Sequence, residues 1–291
     1  MRNKRFEIAN IPFSFLHDSF HITDWPNPFY FPFQTQKPEL IRIQTRRLRN
    51  IPSRASFSDL RFDGGAHWRL FENHGQFEVH LFDPKTKAHD RTARISPDFT
   101  EVELIHWKKS HFLNWILRPL AEILLVHYLA SREGLLVHAA AVRDGDQAYL
   151  FVGRSGAGKT TISTFWAGVE GDVSVLGDER LVVRREAGEW FAYGTPWPGM
   201  GFRCNNERVR ISRVFFIRHG SEHEIIEQGP ALYFNELFTQ VFSSFWNLEA
   251  LDQITRTCQK AVEEIPCRLL AFAKAPDVTG FVRNFNCAAQ P

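Results

Sequence analysis

The amino-acid sequence predicts an α/β fold, in which a P-loop domain with a mixed sheet follows a smaller β-rich N-terminal module. Three observations carry this prediction. Residues 1–110 alternate short strand-like segments with turns, an apolar helix pattern begins after residue 111, and a complete G-x-x-x-x-G-K-[ST] motif stands between a strand pattern and a helix pattern. We therefore place the two domains at residues 1–110 and 111–291.

The composition is that of a globular protein with a core. The chain has 291 residues, of which 44% are hydrophobic and 23% charged, so disordered and fibrous classes are excluded. Its 35 Lys and Arg residues nearly balance 33 Asp and Glu residues, which argues against a nucleic-acid partner. No apolar run approaches the roughly 20 residues that span a bilayer, and the first residues do not resemble a signal peptide. We expect a cytoplasmic protein without membrane contact.

The N-terminal module is predicted from a period of two in its apolar residues. Turn signals such as Asp63-Gly64-Gly65 separate these segments, as in an antiparallel sheet. Two segments place alternate side chains on one face: Phe77, Val79 and Leu81, and then Val102, Leu104 and His106.

A buried helix is predicted next, followed by a hairpin. Pro119 suits a first helical turn and Gly134 a helix end, and the residues between them are apolar on nearly every side. Two apolar runs, residues 135–142 and 147–152, then flank an Asp-Gly pair, which is a strong hairpin signal. With Asp144 and Gly145 as the loop residues, His138 lies opposite Phe151 and near the end of the second strand.

The G-x-x-x-x-G-K-[ST] motif directly follows that strand and predicts phosphate binding. Its glycines let backbone N–H groups surround phosphate oxygens, its lysine supplies a cation, and its first threonine offers a hydroxyl to Mg²⁺. We expect ATP or GTP and Mg²⁺ as the bound species. The predicted binding residues are Gly153, Arg154, Ser155, Gly156, Ala157, Gly158, Lys159, Thr160 and Thr161.

An acidic pair follows the next predicted strand. Residues 173–176 are a short apolar run, and Asp178 and Glu179 come after Gly177. A strand that delivers carboxylates beside a P-loop places a metal-linked acid or a general base. We assign Asp178, Glu179 and Thr160 as candidate metal ligands.

This order of features resembles the HPr kinase/phosphorylase family, whose fold is shared with the nucleotide site of phosphoenolpyruvate carboxykinases. The resemblance covers roughly residues 117–290 and includes His138 on a strand, the motif, and the acidic pair. The runs LLVHAAAV and GDERLVVRREAGEWFAYGTPWPG are similar to HPr-kinase-like proteins that accompany peptide maturation. The resemblance implies that Asp178 activates a Ser or Thr hydroxyl, that Lys159 binds phosphates, and that His138 orients the site. The family tends to form oligomers, which leaves assembly into a homo-oligomer open.

The chain departs from the family at two places. Glu179 stands where better-known members have a second Asp, and residues 195–199 (TPWPG) replace the stretch used for phosphatase activity. This TPWPG stretch is either a substrate rim or a Pro-stiffened turn. Guanidinium groups suit phosphate oxygens, so Arg203, Arg256 and Arg268 are further candidates, although a surface ion pair is the commoner role for each.

Two hypotheses from different classes remain. The first is a Mg²⁺- and nucleotide-dependent phosphotransferase that phosphorylates a Ser or Thr hydroxyl of a protein or peptide. The second is a nucleotide-binding accessory module in peptide maturation without kinase activity. Carboxykinase chemistry would need further metal ligands and acid-binding arginines, which this short chain does not visibly supply.

Overall fold

A computed structural model describes residues 2–17, 28–48, 59–65, 67–73, 75–83, 86–106 and 119–288. The chain divides into two compact units, Met1–Tyr128 with Ser244–Leu248, and Leu129–Ser243 with Glu249–Pro291. The expected domain boundary at residue 110 lies outside the described residues. Within the described ranges, no helix is both long and apolar enough to span a membrane.

The first unit is built on a sheet in which eight strands are described. They are β1 (Arg2–Ile8), β2 (Ile11–His17), β3 (Ile41–Arg47), β4 (Asp59–Asp63), β5 (Trp68–Asn73), β6 (Gln76–Phe82), β7 (His89–Ile95) and β8 (Glu101–His106), in the order β1-β2-β3-β8-β7-β6-β5-β4. A 3₁₀ helix, Pro28–Phe33, lies between β2 and β3.

The predicted alternation in this sheet is confirmed for most positions. Val79 and Leu81 are buried, and so are Val102, Leu104 and His106, whereas Phe77 is only half-buried. The expected antiparallel pairing needs a correction, because β3 pairs in parallel with both β2 and β8. A parallel neighbour requires a long connection, and 23 residues (18–40) separate β2 from β3.

The second unit combines a mixed sheet with helices, so the chain is broadly α/β as predicted. The strands are β9 (Gly134–Asp144), β10 (Gln147–Val152), β11 (Val173–Gly177), β12 (Arg180–Glu186), β13 (Glu189–Tyr193), β14 (Arg208–His219), β15 (Glu224–Ile226) and β16 (Cys267–Phe272). The described helices of the chain are α1 (Leu120–Ala130), α2 (Lys159–Ala167), α3 (Pro230–Phe238), α4 (Leu248–Glu264) and α5 (Val278–Ala288).

Three strands of this sheet end at one edge. Strand β14 pairs in parallel with β10 and with β16, so the carboxyl ends of all three strands point the same way. Strand β9 runs antiparallel to β10 on one side and to β11 and β12 on the other. Helices α2 and α5 cover one face of these strands, where Ile162 and Trp166 pack with Phe151 and Phe215. The edge formed by β10, β14 and β16 is where a ligand-binding loop is expected in an α/β sheet.

The predicted buried helix is confirmed as α1, whose residues from Leu120 to Ala130 are mostly inaccessible to solvent. Apolar residues at spacings of three and four also predict a helix over residues 230–246, but the helix in the structure ends at Phe238. The chain there leaves the helix and runs beside β9, where the Phe242 N–H donates to Leu136 O at 2.9 Å and the His138 N–H donates to Gln240 O at 2.8 Å. Pairing with a strand edge satisfied these backbone groups and ended the helix.

Candidate functional site

A glycine-rich loop, residues 153–158, connects β10 to α2 at the edge where the parallel strands end. Gly156 has a φ of 83° and Gly158 a φ of 107°, which L side chains rarely adopt. Gly158 also approaches β16, because a Cβ atom there would lie 2.6 Å from Phe272 Cζ. The φ angles therefore favour glycine at both positions, and the close approach of Phe272 is a second reason at Gly158.

Most backbone N–H groups of the loop and of the first turn of α2 have no backbone acceptor. The Ala157 N–H donates to Arg154 O at 3.0 Å, and the Ile162 N–H donates to Gly158 O at 2.9 Å. In the part of the chain that the structure describes, the N–H groups of residues 155, 156 and 158–161 donate to no backbone carbonyl. Together with the positive end of the helix dipole, they form a surface that favours an anion.

Lys159, the lysine of the motif, is buried with 6% of its surface exposed. Its Nζ donates to Gly153 O at 2.7 Å and to Arg154 O at 3.1 Å, so the ammonium group lies against the loop. Burial lowers the pKa of Lys159, while the nearby charge of Glu179 opposes this shift. The ammonium group is therefore bonded to the loop and lies within the electrostatic influence of Glu179.

Asp178, the first of the acidic pair, lies directly after β11 and is 1% exposed. Its Oδ1 accepts the Gly199 N–H at 2.8 Å, and its Oδ2 accepts the Gly201 N–H at 2.7 Å. A Cβ atom at Gly201 would overlap Asp178 Oδ2 and would lie 3.4 Å from Thr160 Cγ2. The buried carboxylate and the first turn of α2 therefore meet at the backbone of Gly201.

Glu179 is half-buried and contacts two basic side chains, those of His138 and Arg180. Its Oε2 lies 3.3 Å from His138 Nε2, and its Oε1 accepts a hydrogen bond from Arg180 Nη1 at 2.9 Å. The hydrogen bond from His138, assisted by the charges of His138 and Arg180, lowers the pKa of Glu179 to about 2 despite its burial. This carboxylate is ionised at neutral pH.

His138 lies on β9 beside Arg180, its partner in the pairing of β9 with β12. The predicted pairing of His138 with Phe151 is wrong, because Phe151 pairs with Ala140 and the last pair is Val152 with Ala139. The turn consists of Gly145 and Asp146, and Gly145 has a φ of 63°. A two-residue hairpin loop with glycine at its first position forms a type II′ turn. Because this loop lies one residue later in the chain than predicted, each pair across the hairpin also lies one residue later on both strands.

The structure brings most of the predicted site residues to one edge. The loop, Lys159, Thr160, the acidic pair and His138 lie there. The backbone of Arg203 also passes nearby, because a Cβ atom at Gly177 would lie 3.9 Å from Arg203 O. Arg256 and Arg268 instead form ion pairs with Asp252 at 3.0 Å and with Glu227 at 3.5 Å. Within the loop, Arg154, Ser155 and Gly156 are exposed.

Sequence reasoning missed the segment that covers Asp178, residues 195–205, which we call the covering segment. The sequence predicts residues 195–199 as a rim or a turn and Arg203 as a candidate phosphate ligand, but not the segment as a cover over Asp178. The contacts come from Gly199 and Gly201, and the segment continues along β11, where the Asn205 N–H donates to Leu176 O at 3.0 Å. Gly199 and Gly201, which follow Pro198 and are separated by a single residue, are the sequence signal for such a close backbone approach.

Across the described ranges, no three or more His, Cys, Asp or Glu side chains are grouped so as to hold a metal ion by themselves. The metal ligands predicted from the sequence are Thr160, Asp178 and Glu179. They include a threonine hydroxyl, which does not belong to these four residue types. In comparisons with known proteins, the chain matched no protein-family model and no curated protein.

Proposed function

We propose that this chain is a Mg²⁺- and nucleotide-dependent phosphotransferase that phosphorylates a Ser or Thr hydroxyl of a protein or peptide. The observation that carries the proposal is the glycine-rich loop, whose unpaired N–H groups lie beside Lys159 and close to a buried carboxylate. Phosphoryl transfer requires a surface that binds the phosphate anion, a cation and a carboxylate. All three lie at one edge of this sheet.

A nucleoside triphosphate fits the loop by its charge. The N–H groups of residues 155, 156 and 158–161 can donate to phosphate oxygens without first breaking a backbone hydrogen bond. Lys159 Nζ donates to two carbonyl oxygens, and phosphate oxygens are stronger acceptors for the same ammonium group. Binding would exchange neutral acceptors for charged ones, which favours the complex.

Mg²⁺ fits the same edge. This ion is usually held by one or two carboxylates together with phosphate oxygens and water. Glu179 is ionised, and each Asp178 oxygen accepts one N–H, which leaves a further acceptor position on each oxygen. Thr160, at the start of α2, would supply a hydroxyl. When bound, the ion would neutralise charge on the phosphates.

In this proposal Asp178 accepts the proton of the acceptor hydroxyl at a carboxylate oxygen. The N–H groups of Gly199 and Gly201 fix the orientation of that carboxylate before the acceptor arrives. Lys159 stabilises the negative charge on the transferred group, and His138 holds Glu179 through the contact of 3.3 Å. Catalysis would depend on positioning and charge, since phosphoryl transfer asks for little covalent chemistry from the protein.

The finer fold belongs to the same proposal. We infer that the second unit has the HPr-kinase-like P-loop fold, with His138, the hairpin, the loop and the acidic pair in the order of that family. The mixed sheet and the strand–loop–helix arrangement of β10, residues 153–158 and α2 support this inference.

One observation favours the nucleotide-binding accessory module as a second candidate. Asp178 is 1% exposed, and both of its oxygens hold the covering segment. A carboxylate in that position is typical of a structural anchor, which needs no catalytic role. In this alternative, nucleotide binding would control the covering segment and thereby the recruitment of a peptide.

The deciding experiment incubates the purified chain with Mg²⁺, γ-labelled ATP or GTP, and Ser- or Thr-containing peptides encoded beside its gene. We expect labelled peptide with the wild-type chain and none with Lys159→Ala. Nucleotide binding without transfer to any peptide would select the accessory module. Absence of both binding and transfer would contradict both candidates.

A further inference from the structure

A histidine outside the motif contacts the glycine-rich loop. Strand β14 ends at His219, and His219 Nε2 lies 2.7 Å from Gly156 O. A carbonyl oxygen accepts hydrogen bonds and donates none, so Nε2 carries the hydrogen atom in this contact. His219 is exposed and absent from the motif, and the sequence offered no reason to select it.

With this contact, both the carbonyl and the N–H of one peptide group of the loop are hydrogen-bonded. The carbonyl of Gly156 and the N–H of Ala157 belong to the same planar peptide group. His219 holds the carbonyl at 2.7 Å, and Arg154 O accepts the N–H at 3.0 Å. With this plane fixed, the unpaired N–H groups on either side, those of Gly156 and Gly158, are restricted in direction.

The neighbouring strand supports the other flexible glycine. Phe272 is the partner of His219 in the pairing of β14 with β16, and its ring fills the space beside Gly158. The two residues that end these strands therefore contact Gly156 and Gly158. Both glycines have positive φ angles, so they are the positions where the loop would otherwise have the most conformational freedom.

We propose that His219 is a positioning residue of the nucleotide site, which holds the glycine-rich loop in its phosphate-binding shape before the nucleotide arrives. This inference rests on the proposed function, because it assumes that the loop binds the phosphates of a nucleoside triphosphate. A loop that is already ordered loses less conformational entropy on binding, and the affinity is higher for that reason.

The test compares His219→Leu, which removes the donor, with His219→Gln, whose amide nitrogen replaces Nε2. The matched control is His223→Leu, because His223 Nε2 makes a contact of similar length, 3.0 Å, to Asp277 instead of the loop. Calorimetry with Mg-ATP and Mg-GTP measures affinity. Hydrogen exchange of residues 153–158 without nucleotide measures order in the loop.

We expect His219→Leu to weaken nucleotide binding roughly fivefold, the loss that one net hydrogen bond represents, and to speed exchange in the loop. His219→Gln should restore both quantities towards the wild-type values, and His223→Leu should change neither. If the leucine variant does not fold, His219→Asn replaces it, because its shorter side chain places the amide away from Gly156.

The possible failures are distinguishable. If the wild-type chain binds nucleotide and the donor-deleted variant binds it equally well with unchanged exchange, the role of His219 is refuted while the proposed function stands. Equal losses in the glutamine and leucine variants would also refute it, since the donor would then be irrelevant. If the wild-type chain binds neither ATP nor GTP, the proposed function and this inference both fail.

Discussion

Asp178→Asn tests how the covering segment is held. In the wild-type chain the two carboxylate oxygens accept N–H groups from Gly199 and Gly201 at 2.8 and 2.7 Å. Asparagine has one acceptor oxygen and one NH₂ group, which is a donor. Whichever way the amide turns, one glycine N–H will face another donor in a position that is 1% exposed.

The magnitude follows from these two contacts. A hydrogen bond to a charged group contributes about 1.5–3 kcal/mol, and leaving a buried N–H unsatisfied costs about 1–3 kcal/mol. The variant loses one such bond entirely, and the other becomes a weaker neutral bond. We therefore expect the free energy of unfolding of the second unit to fall by about 3 kcal/mol.

Urea unfolding followed by circular dichroism measures this loss, and Glu189→Gln is the matched control. Both variants replace one carboxylate of the second unit by an amide, but Glu189 is exposed and forms a surface ion pair with Arg210 at 2.8 Å. Such a pair contributes no more than about 1 kcal/mol, so the control should shift the midpoint much less. An Asp178→Asn chain as stable as the wild type, or less perturbed than Glu189→Gln, would refute the anchoring role.

Three further predictions concern the loop and the first unit. Lys159→Ala should weaken ATP binding by roughly tenfold or more, because a charge-assisted contact is lost, and unchanged affinity by calorimetry would contradict the phosphate role. Gly158→Ala should lower the melting temperature more than the control Gly188→Ala. Both glycines have positive φ, but a Cβ atom at Gly158 would lie 2.6 Å from Phe272 Cζ, whereas one at Gly188 would meet nothing within 4 Å. Burial lowers the pKa of His127 to about 4 from 6.5, so the unfolded chain takes up a proton first as the pH falls below 6.5. Stability should therefore fall by about 3 kcal/mol between pH 7 and 4, and His127→Phe should remove that part of the pH dependence in unfolding curves measured at each pH.

Sequence reasoning succeeded where the determining contacts are local. The glycine-rich loop and α2 are encoded in consecutive residues, with an apolar strand before them and a helix pattern after them. The acidic pair follows an apolar run in the same way. Each of these predictions uses neighbours along the chain, and no distant contact was needed to place them.

The register of the hairpin shows how a local signal can still mislead. Asp144-Gly145 is a good pair for a turn with two positive φ angles, but the structure uses Gly145-Asp146, which needs a positive φ at glycine only. Asp144 is free for another contact, and its carboxylate accepts two hydrogen bonds from Arg283, at 2.8 and 2.6 Å. A contact 139 residues away is consistent with the chosen turn and is invisible in the local pattern.

The covering segment could not be predicted because its contacts are between distant residues. Gly199 and Gly201 are 21 and 23 residues from Asp178, and β12 and β13 lie between them in the chain. The pairing of these two strands returns the chain to the end of β11. Only the tertiary arrangement shows that the backbone N–H groups of two glycines donate to the buried carboxylate.

This arrangement changes how a loss of transfer in Asp178→Asn must be interpreted. If Asp178 is the base, its removal lowers turnover by about 10²–10⁴-fold, while nucleotide affinity measured without Mg²⁺ stays near that of the wild type. If Asp178 is an anchor, release of Gly201 disturbs the surroundings of Thr160, which lies close to the same backbone, and nucleotide affinity falls as well. Turnover and nucleotide affinity measured on the same folded variant therefore separate the two roles, whereas loss of transfer alone fits either of them.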